Sequence, residues 1–135
     1  MVYAILAFLL QVIAAAGIGV LLGMLVNLVI QTFTNLVSRI KDKLRKKQGI
    51  RVVVATAAEM ARAFEQEAEK QNNVIKSDEL EKFFEEMGPA GTIECALPKT
   101  GAIKEEDIDF FKCSEMDEKF EQFMKAQNGV AVIEN

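Results

Sequence analysis

MVYAILAFLLQVIAAAGIGVLLGMLVNLVI, residues 1–30, carries no charged side chain, and its strongly polar ones are Gln11 and Asn27. A bilayer core is crossed by roughly 20 apolar residues in helix. Thirty residues rising about 1.5 Å each reach roughly 45 Å. The stretch therefore reads as one transmembrane helix, and everything after it as a domain tethered to a membrane surface. It does not fit a cleaved signal peptide, which has a basic n-region and an apolar core of about 7–15 residues. No Lys or Arg precedes Arg39, and the apolar run continues past the small-residue group Ala14-Ala15-Ala16-Gly17.

Charge is divided between two unlike parts. Residues 1–51 hold seven basic side chains and one acid, a net of +6, and residues 52–135 a net of −10, which together give the −4 of the whole chain. Arg39, Lys41, Lys43, Arg45, Lys46 and Lys47 follow directly on the apolar run. Lys and Arg beside a span favour the cytoplasmic side. The sequence thus predicts an integral membrane protein with its N-terminus outside or lumenal and its C-terminal domain on the cytoplasmic, matrix or stromal side. The same cluster attracts anionic headgroups at about 1 kcal/mol per basic residue near the surface, so membrane lipid is one expected partner. An acidic domain argues against a nucleic-acid partner, since phosphate contacts need a basic face.

Inside the apolar run, Gln11, Ala15, Gly19, Gly23 and Asn27 recur every four residues. That spacing puts neighbours on one side of a helix. Small residues there let two backbones approach, and amides hydrogen-bond across the contact. The five are the expected helix-packing interface toward other transmembrane subunits, a hetero-complex ahead of a homo-oligomer.

Beyond the span, Ile30, Phe33, Val37, Ile40 and Leu44 keep helical spacing opposite the charges. They predict an amphipathic extension over residues 31–49, ended by Gly49. Residues 50–135 read as an acidic, mainly helical domain with short strands. Ile50–Ala55 is a β-branched run, and Thr56 with Glu59 forms a capping box for a helix over 57–70. A second helix spans 77–87, stopped by Gly88-Pro89. Thr92–Leu97 suggests a short strand. A third helix is expected over 104–125, and Val130–Ile133 is strand-like.

The chain also repeats itself. Glu59-Met60 and Phe64-Glu65-Gln66 return 56 residues later as Glu115-Met116 and Phe120-Glu121-Gln122. Gln71-Asn72-Asn73-Val74 returns at the same offset as Gln127-Asn128-Gly129-Val130. Helix, polar loop, an Ile, then an acid and an apolar helix: over Glu59–Gly88 this resembles the EF-hand. The resemblance puts Asn73 at the glycine position, Ile75 at the central bridge and Glu79 at the last ligand position. Calcium chemistry does not follow. Such a loop needs oxygen ligands at its first, third and fifth positions, and those hold Ala68, Lys70 and Asn72. The copies around Gly101 and Gly129 offer Ala96, Pro98 and Thr100, and Met124, Ala126 and Asn128.

No chemistry-bearing pattern stands out. The chain has no histidine, and Cys95 and Cys113 lie 18 apart outside any metal-ligand spacing. There is no phosphate-cradling loop or nucleophile motif. Neither a cofactor nor a metal is expected. The expected fold is a single-pass transmembrane helix (1–30), a basic amphipathic helix (31–49) and a small mainly helical domain (50–135). The expected function is a non-catalytic accessory subunit of a membrane complex. The alternative is a regulatory adaptor whose calcium-blind, EF-hand-like domain holds a partner helix in a Phe/Met groove.

Overall fold

Ile50–Thr56 is a strand, as its β-branched composition predicts, and it lies next to one edge of a five-stranded mixed sheet. The computed structural model describes residues 2–16, 18–70, 77–98 and 103–134. In chain order the elements are α1 (Val2–Ala16), α2 (Ile18–Met24), β1 (Leu25–Asn27), α3 (Phe33–Lys46), β2 (Ile50–Thr56), α4 (Ala57–Lys70), α5 (Ser77–Glu86), β3 (Thr92–Pro98), a 3-10 turn (Glu105–Asp107), β4 (Ile108–Lys112), α6 (Glu118–Ala126) and β5 (Val130–Glu134). The strands are ordered β1-β4-β3-β2-β5. β1 runs parallel to β4, and every other pairing is antiparallel.

The transmembrane expectation does not hold. Among the described residues, no helix is long and apolar enough to cross a membrane. The opening run divides into the 15 residues of α1 and the 7 of α2, and Leu25–Asn27 leaves the helix to become β1. An all-round apolar segment can be buried in lipid or in protein. Here it takes the second route. Leu6, Leu9, Leu10, Ile13 and Leu21 join Val53, Phe64, Phe83, Phe84 and Phe110 in one core. The single-pass, mainly helical fold is therefore corrected to an α/β sheet with helices on both faces. The integral-membrane placement, with an outside N-terminus, is corrected with it.

Two smaller expectations also change. The basic helix is not a continuation of the first, because β1 intervenes and α3 starts afresh. Thr32 caps α3, its hydroxyl accepting from Asn35 N–H at 3.1 Å. The helix expected over 104–125 is instead the 3-10 turn, β4 and α6. Ile108 and Phe111 fit a helical spacing, but Ile108 and Phe110 also fit a strand's alternation, and the sheet takes that option. Asp117 then restarts the chain as helix, accepting from Phe120 N–H at 2.9 Å.

The pleat sends alternate residues to opposite faces. Val53, Ala55, Ile93, Cys95, Ile108 and Phe110 face α1, α2, α4 and α5. Val52, Val54, Ala131 and Ile133 face α3 and α6, where Leu36, Ile40, Phe120 and Met124 cover them. On this side Asp117 serves both helices, for its carboxylate also accepts from Phe33 N–H at 3.2 Å. The rings of Phe33 and Phe123 pack beside it, 5.3 Å between centroids.

Gly88 fixes where α5 meets the sheet. It has a φ of +82°, and a Cβ there would stand 2.7 Å from Cys113 O. Glycine alone takes that conformation at no steric cost. On either side of it, Cys113 N–H donates to Met87 O at 2.9 Å and Ala90 N–H to Cys113 O at 3.0 Å. The end of α5 is thereby stitched to the end of β4.

Candidate functional site

β1, β4 and β2 all run toward one pole of the sheet. An open cleft of about 1070 Å³ lies at that pole. Its walls come from four places: Thr56 to Arg62 at the start of α4, Pro89 and Ala90, Ser114 to Met116 after β4, and Glu121 to Gly129 from α6 into β5.

Each wall has a local cause. Thr56 ends β2 and caps α4, its hydroxyl accepting from Glu59 N–H at 3.2 Å; this is the Thr56 half of the capping box expected from the sequence, and the return bond from Thr56 N–H goes elsewhere. Thr56 N–H donates to Gly129 O, and Ala57 N–H to Gly91 O, each at 3.0 Å. Asn128 at φ +56° and Gly129 at φ +84° make the tight turn from α6 into β5, and a Cβ on Gly129 would collide with the Glu59 side chain. Met116 gives the cleft its apolar surface with Ala58 and Pro89, and the buried Met124 and Ala90 lie at its floor. The rim is charged and largely matched: Arg62 pairs with Glu59 at 3.1 Å and Lys125 with Glu121 at 2.9 Å, while Glu115 has no ion pair among the described residues. Surface pairs of this kind are worth about 0–1 kcal/mol, so an arriving partner can reopen them.

A second polar assembly lies between α3 and the sheet, and it is internal. Glu94 on β3 is completely buried, with Gln31 and Thr92. Arg39 Nε donates to Glu94 Oε2 at 2.9 Å, and Arg39 Nη2 to Gln31 Oε1 at 2.9 Å. Gln31 Nε2 donates to Thr92 Oγ1 at 2.6 Å and to Ala90 O at 3.3 Å. The guanidinium also stacks 4.6 Å over the Phe111 ring. Lys43 Nζ completes the set, 3.5 Å from Glu94 Oε1 and 2.9 Å from Asp109 Oδ2. Burial pushes the Glu94 carboxyl above its ordinary range, outweighing the pull of Arg39 and Lys43 in the other direction. Each polar group finds a partner here, which is what a buried network needs in order to stabilise rather than cost.

The basic cluster singled out in the sequence is thus put to an unexpected use. Arg39 and Lys43 serve Glu94 and Asp109, and Lys47 reaches Asp107 at 3.1 Å. Lys41, Arg45 and Lys46 are exposed. The five residues of the expected packing register do not share a helix. Gln11 and Ala15 lie in α1, Gly19 and Gly23 in α2, and Asn27 in β1. Gln11 and Asn27 are exposed, and a Cβ on Gly23 would meet open space.

Of the loop positions compared with the EF-hand, Asn72, Asn73, Ile75, Thr100 and Gly101 lie outside the described residues. Glu79 is exposed on α5, Ala96 and Pro98 are in β3, and Met124 and Ala126 in α6. Among the described residues, no three His, Cys, Asp or Glu side chains converge as metal ligands. Neither thiol is set up as a nucleophile. Burial pushes Cys95 up to about 12, and Cys113 is buried with its Sγ donating to Glu115 O at 3.0 Å.

Sequence reasoning missed Gln31, Thr92, Glu94 and the shared cap Asp117. One signal was present: Glu94 is the lone acid in Thr92-Ile93-Glu94-Cys95-Ala96-Leu97, and a charge inside such a strand needs a partner. Comparison with known proteins adds no relative: no protein-family model, no curated protein and no solved structure matches this chain.

Proposed function

We propose that the protein is a non-catalytic docking module that seats a peptide segment of a partner protein in the cleft where β2 and β4 end and β3 and β5 begin. The observation that carries this reading is the cleft itself, about 1070 Å³, with Met116 in its wall and Met124 at its floor. Small-molecule sites span about 300–1,000 Å³ and bury most of their ligand; this cleft stands at the top of that range and is open to solvent, which suits a short peptide. Methionine is flexible and polarisable, and it recurs on surfaces that accept varied apolar anchors. The two rim pairs, Arg62–Glu59 and Lys125–Glu121, offer a bound segment one cation and one anion on either side.

The test is selection of random peptides on the full chain, followed by titration of those recovered against protein carrying ¹³C-methyl methionine. The Met116 and Met124 signals are expected to shift and saturate. Ala58→Trp, at an exposed position on the wall, is expected to block entry and weaken binding at least tenfold, about 1.4 kcal/mol. Selected peptides that leave both methyl signals unmoved, or that bind Ala58→Trp equally well, would overturn the reading.

A further inference from the structure

The cleft carries three carboxylates, Glu59, Glu115 and Glu121, against two cations, Arg62 and Lys125. Both cations are answered within their own helices, Arg62 by Glu59 and Lys125 by Glu121. Glu115 is the acid left over, exposed and without an ion pair among the described residues. Its backbone is nonetheless fixed. Glu115 O accepts from Gln31 N–H at 2.9 Å and from Cys113 Sγ at 3.0 Å, and Asp117 N–H donates to Gln31 O at 2.8 Å. Gln31 is itself fully buried, its side chain donating to Thr92 and Ala90. The chain is thus clamped on both sides of Met116. Order that is in place before a partner arrives costs nothing on binding. Glu115 and Met116 both line the cleft, their Cα atoms about 3.8 Å apart as chain neighbours. The result is a placed anion beside a polarisable apolar side chain.

The surroundings select the sign of the occupant. Every wall of the cleft lies within residues 52–135, whose nine basic and nineteen acidic side chains sum to −10. A field of that sign draws cations toward a cleft and speeds their association. An acidic segment would have to break the Arg62 or the Lys125 pair to find a cation. A neutral segment would cover the Glu115 carboxylate and leave it without a partner, which costs free energy. An ammonium or guanidinium group completes Glu115 and leaves both existing pairs intact.

We infer that the seated segment is basic: a Lys or Arg of the bound peptide pairs with the Glu115 carboxylate, and an apolar residue beside it packs on Met116. This rests on the reading of the cleft as a peptide seat, and its test separates the two. The probes are two synthetic random peptide libraries, alike except for one fixed central residue, Lys in the first and Glu in the second. On the full wild-type chain the Lys library is expected to yield peptides that shift the Met116 methyl signal. These are expected to bind at least tenfold tighter than the same peptides with that Lys changed to Glu, since like charges set face to face are strongly disfavoured. Their affinity is expected to fall as salt rises. Glu115→Gln is expected to weaken them about threefold, the scale of one exposed ion pair. Glu115→Lys is expected to weaken them at least tenfold and to accept the Glu-substituted peptides in their place. Peptides that shift Met116 yet show no preference for Lys or Arg, or that bind Glu115→Lys as tightly as the wild type, overturn the inference and leave the docking reading standing. If neither library yields a peptide that moves the methyl signals, both fall. Should a Glu115 variant fail to fold, the wild type decides: equal binding of the Lys and Glu forms of one peptide is fatal to the inference.

Discussion

The two faces of the sheet are held by different physics. Under α1, α2, α4 and α5 the sheet is dry: its centre is Phe64, Phe83 and Phe110, with Leu9, Leu10 and Ile13 from the opening segment. The other face has an apolar core of its own, Val52 and Val54 under Leu36, Ile40 and Phe120, but beneath α3 it also presents Thr92, Glu94 and Asp109, and the helix answers with Arg39 and Lys43. Dispersion and the hydrophobic effect are non-directional, so the dry face supplies most of the stability without naming one alignment. Charge-assisted hydrogen bonds are directional and short. They fix where α3 lies, and through Gln31 they fix the chain that enters it. The lesson is a division of labour, in which both faces provide cohesion and the one under α3 adds register.

The largest expected effect breaks the dry face. Phe110 and Phe83 meet edge to face with centroids 5.3 Å apart, both fully buried. Phe110→Ala removes the ring from both the core and the pair, and is expected to cost about 3–5 kcal/mol. Urea unfolding measures it. A loss under 1 kcal/mol would mean that the opening segment does not pack where it is placed.

Next comes the polar face. Glu94→Ala leaves Arg39 and Lys43 facing a cavity, and removing one partner of a buried pair costs about 3–5 kcal/mol. Arg39 keeps some solvent access, so about 2–3 kcal/mol is expected here. If the network acts by fixing register, the double variant Glu94→Leu with Arg39→Met should regain most of that stability while exchange protection along α3 drops. Restored stability with unchanged α3 protection would deny the network its aligning role.

Glu94 also sharpens the comparison through pH. Burial raises its carboxyl above the ordinary 4.5, so the folded protein holds this proton more tightly than the unfolded chain. Stability from that site is full below about 4.5 and declines as pH rises toward the raised folded value. Glu94→Gln does not titrate. The wild type's advantage over it is therefore expected to shrink as pH rises through that window, measured as the difference in urea midpoint. A gap that widens with pH would place the carboxyl below its ordinary range instead.

A smaller effect is expected at Asp117, which caps both helices of the polar face. Asp117→Ala removes acceptors from Phe33 N–H and Phe120 N–H. One cap is worth about 0.5–2 kcal/mol, and a shared one belongs in the upper half of that range. Thr32→Ala, which removes a cap from α3 alone, is expected to cost less. The reverse order would show that the two helices do not depend on Asp117 together.

What the sequence made legible follows this division. Local chemistry could be read: the strand at Ile50–Thr56, the Thr56 cap, the stop at Gly88 and the strands at Thr92 and Val130 depend on neighbours within a few residues. The destination of the first thirty residues could not. A run apolar on all sides asks only to leave water, and nothing in it says whether lipid or Phe83 and Phe110 will receive it. The basic cluster misled for the same reason. Arg39 and Lys43 carry the positive charge expected beside a span, while their partners Glu94 and Asp109 lie 55 and 66 residues away. Pairing at that separation leaves no local periodicity to detect. The cleft was illegible because four separate segments form it, though Met116 and Met124 lie in the stretch the sequence reads as its third helix.

The last expectation concerns a pair of equal chemistry and unequal surroundings. Cys95 projects from β3 into the dry core, where burial lifts it to about 12. Only the thiolate is a competent nucleophile, so at neutral pH it is expected to resist iodoacetamide in the native state. Cys113 is buried too, but it sits at the end of β4 beside the cleft, its Sγ bonded to Glu115 O rather than packed among helices. It is expected to be modified first as the protein is brought toward unfolding, and Cys95 only with global loss of structure. Mass spectrometry of pulse-labelled protein across a urea series would order the two. Cys95 reacting at or before Cys113 would mean that the dry face opens ahead of the pole, against the assignment of cohesion to that face.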